Sequence, residues 1–344
     1  MTKLKVGENI LSTELLAYCQ SFNFRWVIIT DSHIEKIWGD KLANWLNIEL
    51  ITFPAGNKTR ETKQHLEDIL LMKGYGRDTG IIALGGGVVT DLIGFLASTY
   101  CRGVHVVYVP TTLLAMVDAS IGGKTGVDTP YGKNLIGSFY PPHAVFMDIS
   151  TLATLPEKEW CDGMVETIKH ALILDAAFWD VLKETKQNIE HVINRSIEIK
   201  QKIVEQDQYD QGIRQLLNFG HTIGHAIETI EDYQVSHGEA VAIGILVEAY
   251  LSILSGFLNI TALNEIEAMF QRYSISLKTN AFSDIAHFKK MMSLDKKAKH
   301  NIPHFILLNA IGSTARTDNA EYTFSIDSEL LDKALSWGHQ RFKY

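Results

Sequence analysis

The sequence predicts an α/β nucleotide-binding domain built on a mostly parallel sheet, followed by an all-α domain. Three observations carry that reading. Short Val- and Ile-rich runs alternate with amphipathic stretches up to about residue 150. Beyond that point helical periodicity takes over, and no proline stands between Pro156 and Pro303. The 344 residues also suffice for two domains at roughly 150 residues each.

In chain order, Trp26–Thr30, Ile48–Phe53, Gly80–Leu84, Val104–Pro110 and Ala144–Asp148 read as strands. Each is a near-continuous apolar run bounded by turn residues, as expected of parallel strands buried on both faces. Glu61–Met72 and Val88–Thr99 read as the helices between them. Pro156 is placed to open a helix, with Glu157 and Glu159 in its first turn, where the helix dipole favours acid. Trp160–Leu174, Arg195–Gln206, Leu216–Ile230, Glu239–Leu254 and Thr261–Tyr273 continue as helices, and Phe305–Leu308 as a short strand or extended segment. Residues 1–150 thus read as a nucleotide-binding-like domain and 151–344 as a helical domain, with a cleft between them. Low-complexity segments and fixed-period repeats are missing.

Composition narrows the partners. With 46% hydrophobic and 21% charged residues the chain buries a core, which excludes wholesale disorder. Forty Asp and Glu against 32 Lys and Arg leave a net charge of −8, which argues against nucleic acid or an anionic membrane as principal partner. A locally basic pocket for a small anion stays open. The most apolar stretch, Ile243–Leu258, carries Glu248 and reads as a buried helix. Cys19, Cys101 and Cys161 form no CxxC, and an N-terminus with Lys3, Lys5 and Glu8 lacks a signal-peptide core. A reducing cytoplasm is the expected compartment.

Gly85-Gly86-Gly87 follows a strand and leads into a helix, so backbone N–H groups there can meet an anion at the positive end of the helix. The strict GxGxxG pattern fails, because its third glycine position is Thr90. A structural glycine turn is the alternative. Gly122-Gly123-Lys124-Thr125 is not a Walker loop, since Asp118 stands where the first glycine is required. Asp118, Lys124, Lys133 and Asn134 then read as a polar site in a loop-rich stretch, or as a solvated loop.

His221 and His225 lie four residues apart on one helical face, and His237-Gly238-Glu239 follows. His221, His237 and one carboxylate would make a three-ligand zinc set with an open position. HExxH fails, because residue 222 is threonine. The same imidazoles could instead cap or pack helices.

Taken together these segments resemble the 3-dehydroquinate synthase family of sugar-phosphate cyclases over most of the chain. The longest similar stretch runs from Gly85 through Ile168 and includes Arg102-Gly103, Val109 to Leu114, Gly122 to Thr125 and Gly132 to Gly137. Similarity resumes at Arg214 to Glu228, His237 to Val241 and Asp295-Lys296-Lys297. The resemblance implies a shikimate-pathway lyase that turns 3-deoxy-D-arabino-heptulosonate 7-phosphate into 3-dehydroquinate and phosphate. NAD and a divalent metal, usually zinc with cobalt as an alternative, would be its cofactors, and a homodimer its assembly.

The same resemblance implies that the helical domain binds metal and substrate, with Glu166, His221 and His237 as metal ligands. Asp31, Gly86, Gly87, Val88, Asp91, Thr111, Thr112, Lys124, Lys133, Thr151 and Thr154 would hold NAD. Asp118, Lys124, Asn134, Lys169 and His225 take catalytic positions. Arg102, Lys200, Arg214, Asn218, Lys296 and Lys297 take substrate positions, with Arg102 reaching a partner subunit's site. Arg214 with Lys200 suits a carboxylate, the arginine as a bidentate fork. Lys124, Asn134, Arg102 and one of Lys296 or Lys297 suit a phosphate.

Four departures stand out: Thr90 before Asp91, a shortened Pro54-Ala55-Gly56-Asn57-Lys58 without its glutamate, His33 in place of asparagine, and Asp210 in place of a glutamate. Thr90 is expected to add a side chain beside the cofactor's phosphates. The rival readings are a cyclase acting on another sugar phosphate, a metal-dependent polyol dehydrogenase and an inactive homologue used as a scaffold.

Overall fold

The computed structural model describes residues 2–294 and 303–344, so Lys296 and Lys297 lie outside the described residues. The chain forms two compact units, Met1–Trp160 with Ile189–Ile197, and Cys161–Asn188 with Glu198–Tyr344.

The first unit is built on six parallel strands: β1 (Lys3–Gly7), β2 (Arg25–Asp31), β3 (Glu49–Phe53), β4 (Thr79–Gly85), β5 (His105–Pro110) and, after a separate hairpin, β8 (Ala144–Asp148). Their order is β1-β8-β5-β4-β2-β3. Strands β4 and β8 are buried along their whole length, which is why they read as unbroken apolar runs. Ile28, Ile82, Val107 and Phe146 pack in one core with Leu11, Leu15 and Leu42. The chain runs from β2 out to the edge strand β3, then returns to the other side of β2 as β4. The carboxyl ends of β2 and β4 therefore flank a topological switch point, where ligands of open parallel sheets bind.

In the first unit two stretches differ from the expectation. Lys3–Gly7 is an edge strand pairing with β8, although its mixed sequence carried no strand signal. The stretch expected to be loop-rich forms an antiparallel hairpin, β6 (Lys124–Thr129) with β7 (Gly132–Phe139).

The second unit is helical. Its central helix, His237–Leu254, is buried along most of its length. By length and composition alone this helix could cross a bilayer, but 72% of that window is buried inside the fold. The expected Leu216–Ile230 helix is interrupted: a 3₁₀ turn at Ile213–Asn218 precedes a helix that starts at His221. Gly220, at φ +80°, makes the break, in a left-handed conformation that glycine adopts without steric cost. Residues 305–308 run extended against the central helix, where Ile306 N donates to Glu248 Oε2 (3.3 Å) and Leu308 N to Ser252 Oγ (3.0 Å).

Candidate active site

In the first unit, Asp31 ends β2 and Gly85 ends β4, side by side at the switch point. Gly86 caps the Gly87–Thr99 helix without any side-chain cap, so its first N–H groups point at the crevice. A Cβ on Gly86 would come within 3.0 Å of Thr112 Cγ2. Among the described residues the Thr111 hydroxyl is buried with no hydrogen-bond partner. A bare helix N-terminus, a loop with no room for side chains and an orphaned hydroxyl fit the phosphates of a dinucleotide.

Other positions here have local roles. Asp31 Oδ1 accepts from His33 N (2.9 Å) and Ile34 N (3.0 Å). Thr151 donates to the Asp148 carbonyl (2.8 Å), and Thr154 Oγ1 accepts from Trp38 Nε1 (3.0 Å). Thr90 sets its side chain against this loop. It is buried, and its hydroxyl donates to the Gly87 carbonyl (3.2 Å). Asp91 forms an ion pair with the buried Lys58, which also donates to the Asn134 carboxamide. Lys58, the last residue of the shortened Pro54 motif, was not among the predicted site residues.

Lys124 pairs with Phe139 at one end of the hairpin and Lys133 lies next to the turn, so their Cα positions are about 14–17 Å apart. Both side chains are exposed, as are those of Val88 and Arg102. Asp118 is half-buried in a single turn of π-helix at Ala115–Ala119. Cys101 and Arg102 both take positive φ, 48° and 68°, a strained pair preceding Gly103.

The second unit holds a denser cluster. Glu166 lies on the Glu157–Leu174 helix, His221 opens the His221–Ile230 helix and His237 opens the His237–Leu254 helix. The two histidine-bearing helices cross backbone to backbone: a Cβ on Gly244 would lie 2.0 Å from the Gly220 carbonyl oxygen. Their ligand atoms and a Glu166 oxygen all lie within 4.8 Å of one another. Glu166 Oε1 is 3.5 Å from His221 Nε2 and 3.6 Å from His237 Nε2. These separations exceed those of charge-assisted hydrogen bonds, about 2.7–2.9 Å. They come close to the roughly 3.3–3.4 Å between two atoms each about 2.0–2.1 Å from a tetrahedral zinc ion. The residues present fit a divalent metal.

Outer contacts orient the same groups. The Phe219 carbonyl lies 3.2 Å from His221 Nδ1, which favours a proton on Nδ1 and turns the Nε2 lone pair towards Glu166. Glu228 Oε2 lies 3.5 Å from His237 Nδ1. Burial would lower the His237 pKa, but the attraction of the nearby Glu166 and Glu228 carboxylates outweighs it and pushes it up to about 10. Asp162 Oδ1 accepts from Ser236 Oγ (2.6 Å) and Gly238 N (2.9 Å). Lys169 is buried against Glu166 and donates to the Leu217 carbonyl (2.7 Å). The His225 ring is 5.5 Å from that of His221 at 84°, as expected for two residues one turn apart.

Arg214 and Lys200 are both buried, and Arg214 Nη1 donates to the Gln208 carbonyl (2.6 Å). Asn218 ends the 3₁₀ turn and is half-buried. Sequence reasoning missed Glu228 and Asp162, which act through other residues and belong to no ligand pattern. Glu228 did close one of the similar stretches.

The fold is the one seen in sugar-phosphate cyclases. A solved 2-deoxy-scyllo-inosose synthase, complexed with carbaglucose-6-phosphate, NAD+ and Co2+, superposes with a TM-score of 0.87 at 25% identity, covering 96% of this chain and 95% of its own. The 2-epi-5-epi-valiolone synthase of Streptomyces hygroscopicus, solved with NAD+ and Zn2+ bound, shares the fold at a TM-score of 0.87 and 24% identity, over 99% of this chain and 97% of its own. Within that class the match is specific. Family models for the 3-dehydroquinate synthase N-terminal and C-terminal regions match residues 50–162 and 163–298. The 3-dehydroquinate synthase of Legionella pneumophila strain Philadelphia 1 is 44% identical over 312 residues, 88% of this chain and 82% of its own. That of Lactococcus lactis strain MG1363 is 40% identical over 323 residues, 89% and 90%. The chain belongs to the 3-dehydroquinate synthase family.

Proposed function

We propose that the chain converts 3-deoxy-D-arabino-heptulosonate 7-phosphate into 3-dehydroquinate and inorganic phosphate, as a carbon–oxygen lyase that depends on NAD and a divalent metal. The observation that carries this reading is the pair of Glu166–imidazole distances, 3.5 and 3.6 Å, with a buried lysine at the same carboxylate. A divalent metal held by Glu166, His221 and His237 would supply Lewis-acid polarisation of a substrate hydroxyl, and NAD held by the first unit would supply a reversible hydride acceptor, with no net redox change.

The remaining work falls to the chain's own groups. Glu166, His221 and His237 hold the metal, with zinc the first choice and cobalt an alternative. Lys169, fixed by the Leu217 carbonyl, keeps a positive charge beside Glu166. Arg214 and Lys200 supply buried cations suited to the substrate's carboxylate. In the first unit, Gly86, Gly87, Thr111 and Thr112 receive NAD at the carboxyl ends of β4 and β5. A homodimer, with strained Arg102 meeting the partner's substrate, and a cytoplasmic location complete the reading; Cys19, Cys101 and Cys161 are all free thiols.

The test is to supply the purified chain with the heptulosonate phosphate, NAD and zinc. One phosphate should be released per substrate consumed, with no lasting NADH absorbance. Steady NADH formation on glycerol, without phosphate release, would establish the dehydrogenase reading instead.

A further inference from the structure

The helix that carries Glu166 also carries Asp162 one turn earlier, on the same face. A single Asp162 oxygen accepts hydrogen bonds from residues on both sides of His237: Ser236 Oγ at 2.6 Å and Gly238 N at 2.9 Å. The contact is close enough that a Cβ on Gly238 would lie 2.5 Å from Asp162 Cα. Ser236 is also the N-cap of the His237–Leu254 helix, in a reciprocal capping box with Glu239. The first turn of that helix is therefore fastened to the Glu166 helix at the two residues that bracket the histidine.

We infer that Asp162 is a positioning residue that presets His237 against Glu166, so that the site binds metal without first ordering the histidine's backbone. The inference rests on the proposed metal reading and adds a residue to it. The physical reason is preorganisation: a ligand already held in place loses little freedom on binding, and removing an outer partner of a ligand typically costs 10–100-fold in metal affinity.

The measurement is the zinc dissociation constant of the purified chain, by competition with a chromophoric chelator and with no substrate present. Asp162→Ala is expected to weaken zinc binding by about tenfold or more. Asp162→Asn keeps an oxygen acceptor at the same place and is expected to stay close to the unsubstituted chain. In a His237→Ala background, Asp162→Ala should change nothing further, because its effect runs through the absent imidazole. Unchanged affinity in Asp162→Ala, or an equal loss with and without His237, would overturn the inference. If Asp162→Ala does not fold, Ser236→Ala removes one of the two bonds, and an unchanged affinity there overturns it equally. Failure of the unsubstituted chain to bind zinc would instead remove the metal reading, and this inference with it.

Discussion

The Glu166 carboxylate and the His237 imidazole stand 3.6 Å apart, Oε1 to Nε2, on two different helices. That spacing is too long for an ion pair held by a direct hydrogen bond and suits two atoms sharing an ion. His221 stands in the same relation at 3.5 Å. What brings the two histidines together is the contact between Gly220 and Gly244.

Gly244→Ala tests that contact. A methyl group 2.0 Å from the Gly220 carbonyl oxygen cannot be accommodated, so the helices must separate. We expect a stability loss of at least about 1–3 kcal/mol by urea denaturation. Zinc affinity should fall by roughly tenfold or more, because His221 follows Gly220 directly. Unaltered stability and affinity would show that the crossing does not position the ligands.

Lys169→Met tests the charge balance at Glu166. Both side chains are 1% exposed, so removing the ammonium takes a positive charge away from a buried carboxylate. The metal-free variant should lose about 3–5 kcal/mol of stability, and saturating zinc should restore part of it by supplying positive charge at the same carboxylate. A loss below about 1 kcal/mol, or no recovery with zinc, would contradict this placement.

The first unit carries its own pH response. His105 stacks on His143 at 3.9 Å between ring centroids, and its Nε2 lies 3.1 Å from the Tyr18 hydroxyl. Burial, with His143 alongside, pushes its pKa down to about 4. The unfolded chain takes up this proton near pH 6.5 and the folded chain only near pH 4, so this contribution to stability is present above pH 6.5 and lost as pH falls towards 4. The thermal midpoint should therefore fall more steeply over that interval in the unsubstituted chain than in His105→Phe. Parallel curves would rule the histidine out as the source.

Much of this was legible in the sequence, for physical reasons that also mark where legibility stops. Strands such as β4 and β8 are buried on both faces and cannot be other than apolar runs. Lys3–Gly7 escaped because an edge strand keeps Lys3 exposed and needs no such run. The β6–β7 hairpin escaped because its glycines and Lys133-Asn134 carry turn chemistry. Glu166, His221 and His237 stood out through the family resemblance, and the structure groups their side chains. Asp162 and Glu228 did not, because their contacts run between separate helices and no ligand spacing records them.

The most direct test of the metal centre is X-ray absorption at the zinc edge of the stoichiometrically loaded chain. The account predicts one zinc per chain with two imidazole nitrogens and oxygen in its shell, no sulfur, and loss of one imidazole in His237→Ala. A chain that retains no zinc, or a shell unchanged by His237→Ala, would contradict it.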